Sequence, residues 1–282
     1  EIYTGEDTLS LHDALPISDN TLSGGGGNNA IDGRGGHDIA VFAGNRNTYT
    51  LQNKGDGQFL VEKPNSQGSD SLLNVEALKF ADMNINLGVG EKSKTVDANA
   101  LKSLIELYIA YFNRVPDADG MNYWIGEKSA GANLEQIGQS FYNAAVSPAF
   151  TSLTGYSNEM SNIDFIKIIY KNVLGRNEVD QGGLDYWSSA LSSGSQTRGS
   201  LIKTILDAAH GFKGKPDYGY VADLLDNKYI VGKYFAIDQG INYNTPEESY
   251  AKGVAIAAAV TATSVQAALN LIGISDQGFS LT

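Results

Sequence analysis

Two adjacent nine-residue segments near the start of the chain carry oxygen donors at a fixed spacing. Residues 24–32 read Gly-Gly-Gly-Gly-Asn-Asn-Ala-Ile-Asp, and residues 33–41 read Gly-Arg-Gly-Gly-His-Asp-Ile-Ala-Val. Both have glycine at positions one and four, an amide or carboxylate at six (Asn29 and Asp38), and an apolar residue at eight. Carboxylate and main-chain carbonyl oxygens are hard ligands of the kind that calcium prefers. The spacing therefore predicts a cation site.

Each position of the nine-residue pattern has a physical reason. The glycines allow a turn with φ values that other residues resist. The apolar residue at position eight is expected on a short strand, with its side chain pointing into a core. A flexible glycine-rich linker is the alternative interpretation, but linkers do not keep a period.

The pattern matches the G-G-x-G-x-D-x-U-x nonapeptide of calcium-binding β-rolls, in which U is apolar. Residues 5–9 fit the second half of another copy, and residues 20–22 fit a degraded one. The resemblance implies calcium (Ca2+) as the bound ion. The residues that it points to as metal ligands are Asp38, Asn29, Gly24, Gly26, Gly33, Gly35 and Asp7. Because Asn29 is a neutral amide where the pattern has Asp, we expect Asp38 to be the best single ligand.

Residues 10–18 interrupt the repeats. They contain no glycine, and the copies on either side do not share one nine-residue frame. The segment resembles a translated sequencing adapter, which makes it a candidate for foreign sequence, and a natural insertion between turns is the alternative. His12 and Asp13 therefore receive no functional weight.

The region after the repeats continues with short β segments. Residues 39–42 predict a strand, and residues 48–52 and 58–62 predict a β-hairpin around 54–57. Residues 68–80 follow with the order G-x-D-x-L-x-N-V-E-x-L-x-F. Over roughly residues 1–88 this arrangement resembles the end of the β-roll in RTX-type (hemolysin-type) proteins. That resemblance implies export by type I secretion machinery.

Residues from about 96 to 212 show helical periodicity and an internal duplication. One apolar stripe follows i, i+3, i+4, i+7 spacing from Leu101 to Phe112, and a second runs from Phe165 to Val173. A cassette after each stripe recurs 62 to 63 residues later, pairing Tyr108 with Tyr170, Arg114 with Arg176, Tyr123 with Tyr186 and Trp124 with Trp187. The cassette resembles a helical family of unknown function related to the phycobilisome linker fold, which supplies no known catalytic residue.

The cassette residues have two interpretations. They could line a ligand surface, but we favour a structural role. In that role the Tyr-Trp pair locks two helices together, and the arginine caps the carbonyls at the end of the preceding helix. Residues 117–120 look like a fragment of an EF-hand loop, but the template then requires Val115 and Gly126 at its first and last positions, so it fails.

Composition excludes several classes of partner. The chain has 20 Lys and Arg against 32 Asp and Glu, a formal net charge of -12, so it should repel nucleic acid and suit a cationic partner. It contains no cysteine, which excludes disulfides and thiolate metal sites. Residues 252–273 are the only candidate for a membrane span, and they hold too many polar groups for one.

No motif in the sequence indicates an enzyme. The zinc-protease H-E-x-x-H, the G-x-S-x-G elbow and the phosphate-binding G-x-x-x-x-G-K-[ST] loop do not occur. His37 and His210 are both expected to be solvated. Scattered carboxylates leave a glycosidase pair open. Because the sequence begins at Glu1, we expect that residues precede it, and a catalytic domain lost upstream is an alternative.

The sequence predicts an α+β multidomain chain. Its segments are a short parallel β-roll with a β-hairpin extension (1–95), an all-α helical module (96–212) and a helical extension (213–282) whose tail resembles a C-terminal secretion signal. The predicted function is that of a calcium-binding accessory region of an extracellular or cell-surface bacterial protein. The alternative is an adhesin or surface-layer module that binds a cell-envelope or polysaccharide ligand.

Overall fold

The computed structural model describes residues 2–4, 18–274 and 278–282. The predicted ligand Asp7 and most of the 10–18 interruption lie outside the described residues.

Two β-sheets form the N-terminal part. The first has the strand order β1-β2-β4-β8-β9-β10, and the second has the order β3-β7-β6-β5. The strands are β1 (Ile2–Thr4), β2 (Thr21–Ser23), β3 (Asn29–Asp32), β4 (Ile39–Val41), β5 (Thr50–Gly55), β6 (Gln58–Glu62), β7 (Ser69–Leu73), β8 (Ala77–Lys79), β9 (Met83–Asn86) and β10 (Ile241–Tyr243).

Strands β2, β3 and β4 of the repeat region alternate between the two sheets. Strands β1, β2, β4 and β8 pair in parallel, as do β3 and β7. Leu22, Ile31 and Ala40, spaced nine residues apart, are at most 1% exposed. The parallel register places Leu72 opposite Ile31 and Leu78 opposite Ala40, and both are also buried. The prediction that position eight points into a core is therefore confirmed.

The predicted β-hairpin is present as β5 and β6, which pair antiparallel. Its turn uses Asp56 and Gly57, both with positive φ. The hairpin lies between β4 and β7 in the chain, and β6 also pairs with β7. Strands β7 and β8 therefore form one more turn of the parallel arrangement and pair with β3 and β4. The hairpin is inserted in the chain between this turn and the preceding one.

Helices make up most of the chain after residue 88. They are α1 (Val89–Ser93), α2 (Ala98–Phe112), α3 (Ala118–Ser129), α4 (Leu134–Ala145), α5 (Thr151–Thr154), α6 (Asn162–Leu174), α7 (Gln181–Ser192), α8 (Arg198–His210), α9 (Gly219–Lys233), α10 (Pro246–Ala258) and α11 (Gln266–Ile272). The two apolar stripes form α2 and α6, as predicted. The Thr245 side chain accepts the backbone N–H of Glu248 and begins α10.

Helix α2 lies at the centre of the helical part and contacts α4, α6, α8 and α9. Nine consecutive residues of it, from Leu104 to Phe112, are buried, so neighbours cover it on all sides. The duplicated cassettes run from the end of α2 into α3 and from the end of α6 into α7. The chain therefore combines a β-rich N-terminal part with a helical C-terminal part, as the α+β class predicts.

The last segment of the chain returns to the first sheet. Strand β10 pairs antiparallel with β9. In the tail, Leu281 N donates to Asp238 O at 2.8 Å, and the Gln239 side chain donates to Phe279 O at 2.7 Å. Phe279 and Leu281 are buried in a core that continues through both the β-rich and the helical parts. The division at residues 95 and 212 stays a prediction about sequence organisation.

Residues 252–273 form the end of α10, a turn and α11. In the described part of the chain no helix is both long and apolar enough to cross a bilayer.

Candidate functional site

The turns before and after the strands of the β-rich part lie at two edges. We call the first the Asp38 edge; it consists of residues 18–20, 33–38 and 74–76. We call the second the Asp70 edge; it consists of residues 24–29, 63–68 and Asp70. The predicted metal ligands are divided between the two edges. Gly33, Gly35 and Asp38 lie at the Asp38 edge, and Gly24, Gly26 and Asn29 lie at the Asp70 edge.

At the Asp38 edge three polar side chains stack, one from each turn. Asn20, Asp38 and Glu76 each precede a strand of the same parallel set, so the strand register brings them together. Asp38 Oδ1 accepts from Asn20 N at 2.9 Å and from Asn20 Nδ2 at 3.1 Å. The Asp38 backbone N–H donates to Glu76 Oε2 at 2.7 Å. Sequence reasoning missed Glu76, although its place before a strand in the 68–80 segment was a usable signal.

The second oxygen of Asp38 is buried without a donor. Asp38 is fully buried, and within the described residues its Oδ2 has no hydrogen-bond partner. A Cβ at Gly33 would lie 2.6 Å from this oxygen and 2.0 Å from the carbonyl oxygen of Asn74. Glycine is therefore required at residue 33, where a carboxylate oxygen and a main-chain carbonyl oxygen come close together. Gly35 is partly buried in the same turn.

The Asp70 edge already contains a positive charge. Lys63 Nζ lies 2.6 Å from Asp70 Oδ1 and donates to Gly27 O at 2.9 Å. The Lys63 and Asp70 side chains are only 5% and 1% exposed. Asn29 Nδ2 donates to Asp70 Oδ1 at 2.7 Å and to Gly26 O at 3.2 Å. The predicted ligands Asn29 and Gly26 therefore contact each other, and no sequence pattern had indicated Lys63.

Gly24 is a tight position of the Asp70 edge. A Cβ there would lie 2.6 Å from Asn29 Nδ2 and 2.8 Å from Asp70 Oδ2. As at Gly33, the absence of a side chain lets a polar cluster approach the turn backbone.

In the first helical cassette the arginine binds two other side chains. Arg114 Nη1 lies 2.9 Å from Asp117 Oδ2, and Arg114 Nη2 donates to the Tyr108 hydroxyl at 2.7 Å. Burial raises the pKa of that Tyr108 hydroxyl. The expectation that Arg114 caps main-chain carbonyls is wrong, because Asp117, the N-cap of α3, provides a charged acceptor three residues away. Residues 117–120 thus form a helix cap.

The second cassette is looser. Arg176 Nη1 lies 3.9 Å from Asp180 Oδ2, and Trp187 Nε1 donates to the Tyr170 hydroxyl at 3.0 Å. The tryptophans pack inward, as Trp124 shows by stacking on Phe141 at 4.2 Å. Their tyrosine neighbours Tyr123 and Tyr186 are 57% and 67% exposed. The helix-locking role therefore fits the tryptophans and not the tyrosines.

His210 is not simply solvated, as the sequence had suggested. Its Nε2 lies 2.7 Å from Oε1 of the buried Glu106. His37 is exposed, and its backbone N–H donates to Asp19 Oδ1 at 2.7 Å.

In the described ranges, no three His, Cys, Asp or Glu side chains cluster in a way that could hold a metal ion. A cation at the Asp38 edge would therefore depend on main-chain carbonyl oxygens together with Asp38. Calcium accepts such carbonyl-rich ligand sets.

Comparison with known proteins gives one match. The model of a domain of unknown function, DUF4214, matches residues 142–213, about a quarter of the chain. This span runs from the end of α4 through α8 and contains the second cassette. No curated protein and no solved structure matches the chain.

Proposed function

We propose that the N-terminal part is an RTX-type parallel β-roll that binds calcium at the Asp38 edge. The observation that carries the proposal is the buried Asp38 Oδ2, which has no donor in the part of the chain that the structure describes. A buried carboxylate oxygen without a partner is costly, so such groups are usually hydrogen-bonded or hold an ion. Asp38 and the turn carbonyls would hold the ion, and bound calcium would supply the neutralising charge.

Calcium binding would couple to folding. The free energy of binding to the folded state adds to its stability. Without calcium, acidic turns in a chain of formal net charge -12 disfavour the compact state. We propose that the roll stays unfolded in the low-calcium cytoplasm, is exported by type I secretion and folds outside the cell. The helical module would then serve interaction or spacing.

The test compares thermal unfolding in calcium with unfolding in chelator, for the wild type, Asp38→Asn and Asp56→Asn. Asp56 is the matched control, because it undergoes the same chemical change at the exposed tip of the hairpin. We expect calcium to raise the melting temperature of the wild type and of Asp56→Asn, but not of Asp38→Asn. Magnesium serves as the ion control. A wild type without a calcium response, or an Asp38→Asn variant that keeps it, would contradict the proposal.

A second candidate function is ligand binding by the helical part of the chain, as in an adhesin. A cleft of about 600 Å³ lies beside Arg114, and its lining includes the aromatic residues Phe150, Tyr243 and Tyr250. Aromatic side chains beside charged ones suit a polar ligand with apolar faces, such as a polysaccharide. Pull-down of cell-envelope polysaccharide with the wild type and with Tyr250→Ala tests this function. Equal capture by both would exclude the cleft as the binding surface.

A further inference from the structure

We propose that the ammonium group of Lys63 is the resident cation of the Asp70 edge, where it takes the ligands that a metal ion would use. In consequence, this edge needs no metal, and the calcium response is confined to the Asp38 edge. The second statement rests on the proposed function; the first rests on the geometry of Lys63 alone.

Asp70 occupies a ligand position of the parallel roll. The register pairs Asp70 with Asn29, and Asn29 is at position six of its repeat, as Asp38 is in the next. Asp70 and Asp38 are also alike in burial, at 1% and 0% exposure. Each therefore presents a buried carboxylate to a turn of the roll, stacked on an asparagine of a neighbouring turn (Asn29 and Asn20).

The two edges differ in what neutralises the carboxylate. Lys63 Nζ contacts both Asp70 Oδ1 at 2.6 Å and the turn carbonyl of Gly27 at 2.9 Å. A side-chain carboxylate and a main-chain carbonyl are the types of oxygen that calcium binds in a turn. An ammonium group is a compact charge with three donors, so it can satisfy both oxygens at once. Asp38 Oδ2 has no comparable donor within the described ranges.

The hairpin explains how a lysine reaches this place. Lys63 directly follows β6, and its backbone N–H donates to Gly68 O at 2.9 Å. The antiparallel pairing of β6 with β7 fixes Lys63 beside the start of β7, where Asp70 lies. The inserted hairpin therefore places the ammonium group of Lys63 where an uninterrupted repeat would have only another glycine-rich turn.

The experiment uses Asp38→Asn as the background, so that only the Asp70 edge can respond. In this background we compare Lys63 with Lys63→Met, which keeps the length of the side chain and removes its charge. We expect the Asp38→Asn protein to show no calcium response. The Asp38→Asn, Lys63→Met protein should gain one, of roughly 5 °C in melting temperature when calcium is about a hundredfold above its Kd.

The control adds Asp70→Asn to the Lys63→Met protein, which should abolish the gained response. If Lys63→Met unfolds in chelator, circular dichroism during a calcium titration replaces melting, and refolding on added calcium supports the inference. A Lys63→Met protein that gains no calcium response by either measurement overturns it. Failure of the proposed function is seen separately, in the wild type and in Asp38→Asn alone.

Discussion

Lys228 is a buried cation in the helical part, and its environment differs from that of Lys63. It is 6% exposed, and its Nζ donates to the main-chain oxygen of Asn172 at 2.8 Å. Asn172 in turn donates to Ala110 O at 3.0 Å, so α9, α6 and α2 are linked through one polar chain. Burial lowers the pKa of Lys228 to about 8.

The lowered pKa predicts a pH dependence of stability. Between about pH 8 and the ordinary lysine pKa of 10.5, the unfolded chain binds more protons than the folded one, so the stability contributed at this site rises with pH. The free energy of unfolding of Lys228→Met, relative to that of the wild type, should therefore be highest at pH 7. It should be up to about 3 kcal/mol higher there than at pH 10.5. Urea unfolding from pH 7 to pH 10 measures the difference. Exposed Lys167→Met is the control, and parallel curves for Lys228→Met and wild type would refute the prediction.

The duplicated arginines provide a comparison within one chain. The Arg114–Asp117 pair is largely buried, whereas Asp180 of the Arg176–Asp180 pair is 58% exposed. We expect Arg114→Met to lower the free energy of unfolding by about 1–3 kcal/mol, because it removes one buried and one partly buried hydrogen bond. Arg176→Met should cost at most about 1 kcal/mol, since exposed pairs contribute little. Urea unfolding measures both, and equal losses would contradict this interpretation.

At the scale of elements, helices α4 and α8 approach each other closely through glycines. A Cβ at Gly138 would lie 2.6 Å from Gly199 O, and a Cβ at Gly199 would lie 2.7 Å from the Cα of Gln139. These contacts involve backbone atoms, which cannot rotate away. Helices α4 and α8, which follow the first and the second cassette in the chain, are therefore joined at a point where only glycine fits.

Gly199→Ala should lower the free energy of unfolding by about 1–3 kcal/mol, because the helices must separate. The matched control is Gly126→Ala in α3, where the new Cβ would meet only the flexible end of Lys92. That variant should be neutral or stabilised by up to about 1 kcal/mol, since alanine is the better helix former. Thermal unfolding of both variants is the measurement. A Gly199→Ala protein as stable as Gly126→Ala would show that the helices can separate without cost.

At the scale of the whole molecule, the tail connects the two parts. Phe279 is 3% exposed and lies under the guanidinium of Arg46, which is 5.6 Å from the ring centroid. Asn53 of the hairpin donates to Ser280 O at 3.1 Å, while Leu281 N donates to Asp238 O beyond α9. The tail thus contacts the β-rich and helical parts at the same time.

Phe279→Ala should lower the free energy of unfolding by about 3–5 kcal/mol, as is usual for removal of a buried aromatic ring. Because the core is shared, we expect β and helical signals to be lost together in one transition. Circular dichroism follows the strands and helices of both parts, and the fluorescence of Trp124 and Trp187 follows the helical part. Leu271→Ala, at a 55% exposed position, is the control and should change little. Separate transitions in the Phe279→Ala protein would contradict the shared core.

Local patterns were sufficient for much of the fold. The nine-residue spacing predicted the buried row Leu22, Ile31 and Ala40, and the hydrophobic stripes predicted α2 and α6. These features depend on residues within a few turns or strand positions of each other. Helical stripes and caps join residues within one or two helical turns, and the repeat recurs every nine residues, so both can be recognised directly in the sequence.

The partners at the candidate sites could not be found in this way. Lys63 pairs with Asp70 only because the hairpin folds back onto β7, and Glu76 meets Asp38 only because β8 stacks on β4. Glu106 and His210 are 104 residues apart, and β10 reaches β9 across most of the chain. The nonapeptide therefore predicted which residues could hold a cation. Which edge already holds an ammonium group, and which holds a bare carboxylate oxygen, was decided by tertiary packing, because charge neutralisation depends on distance in space and not on distance along the chain.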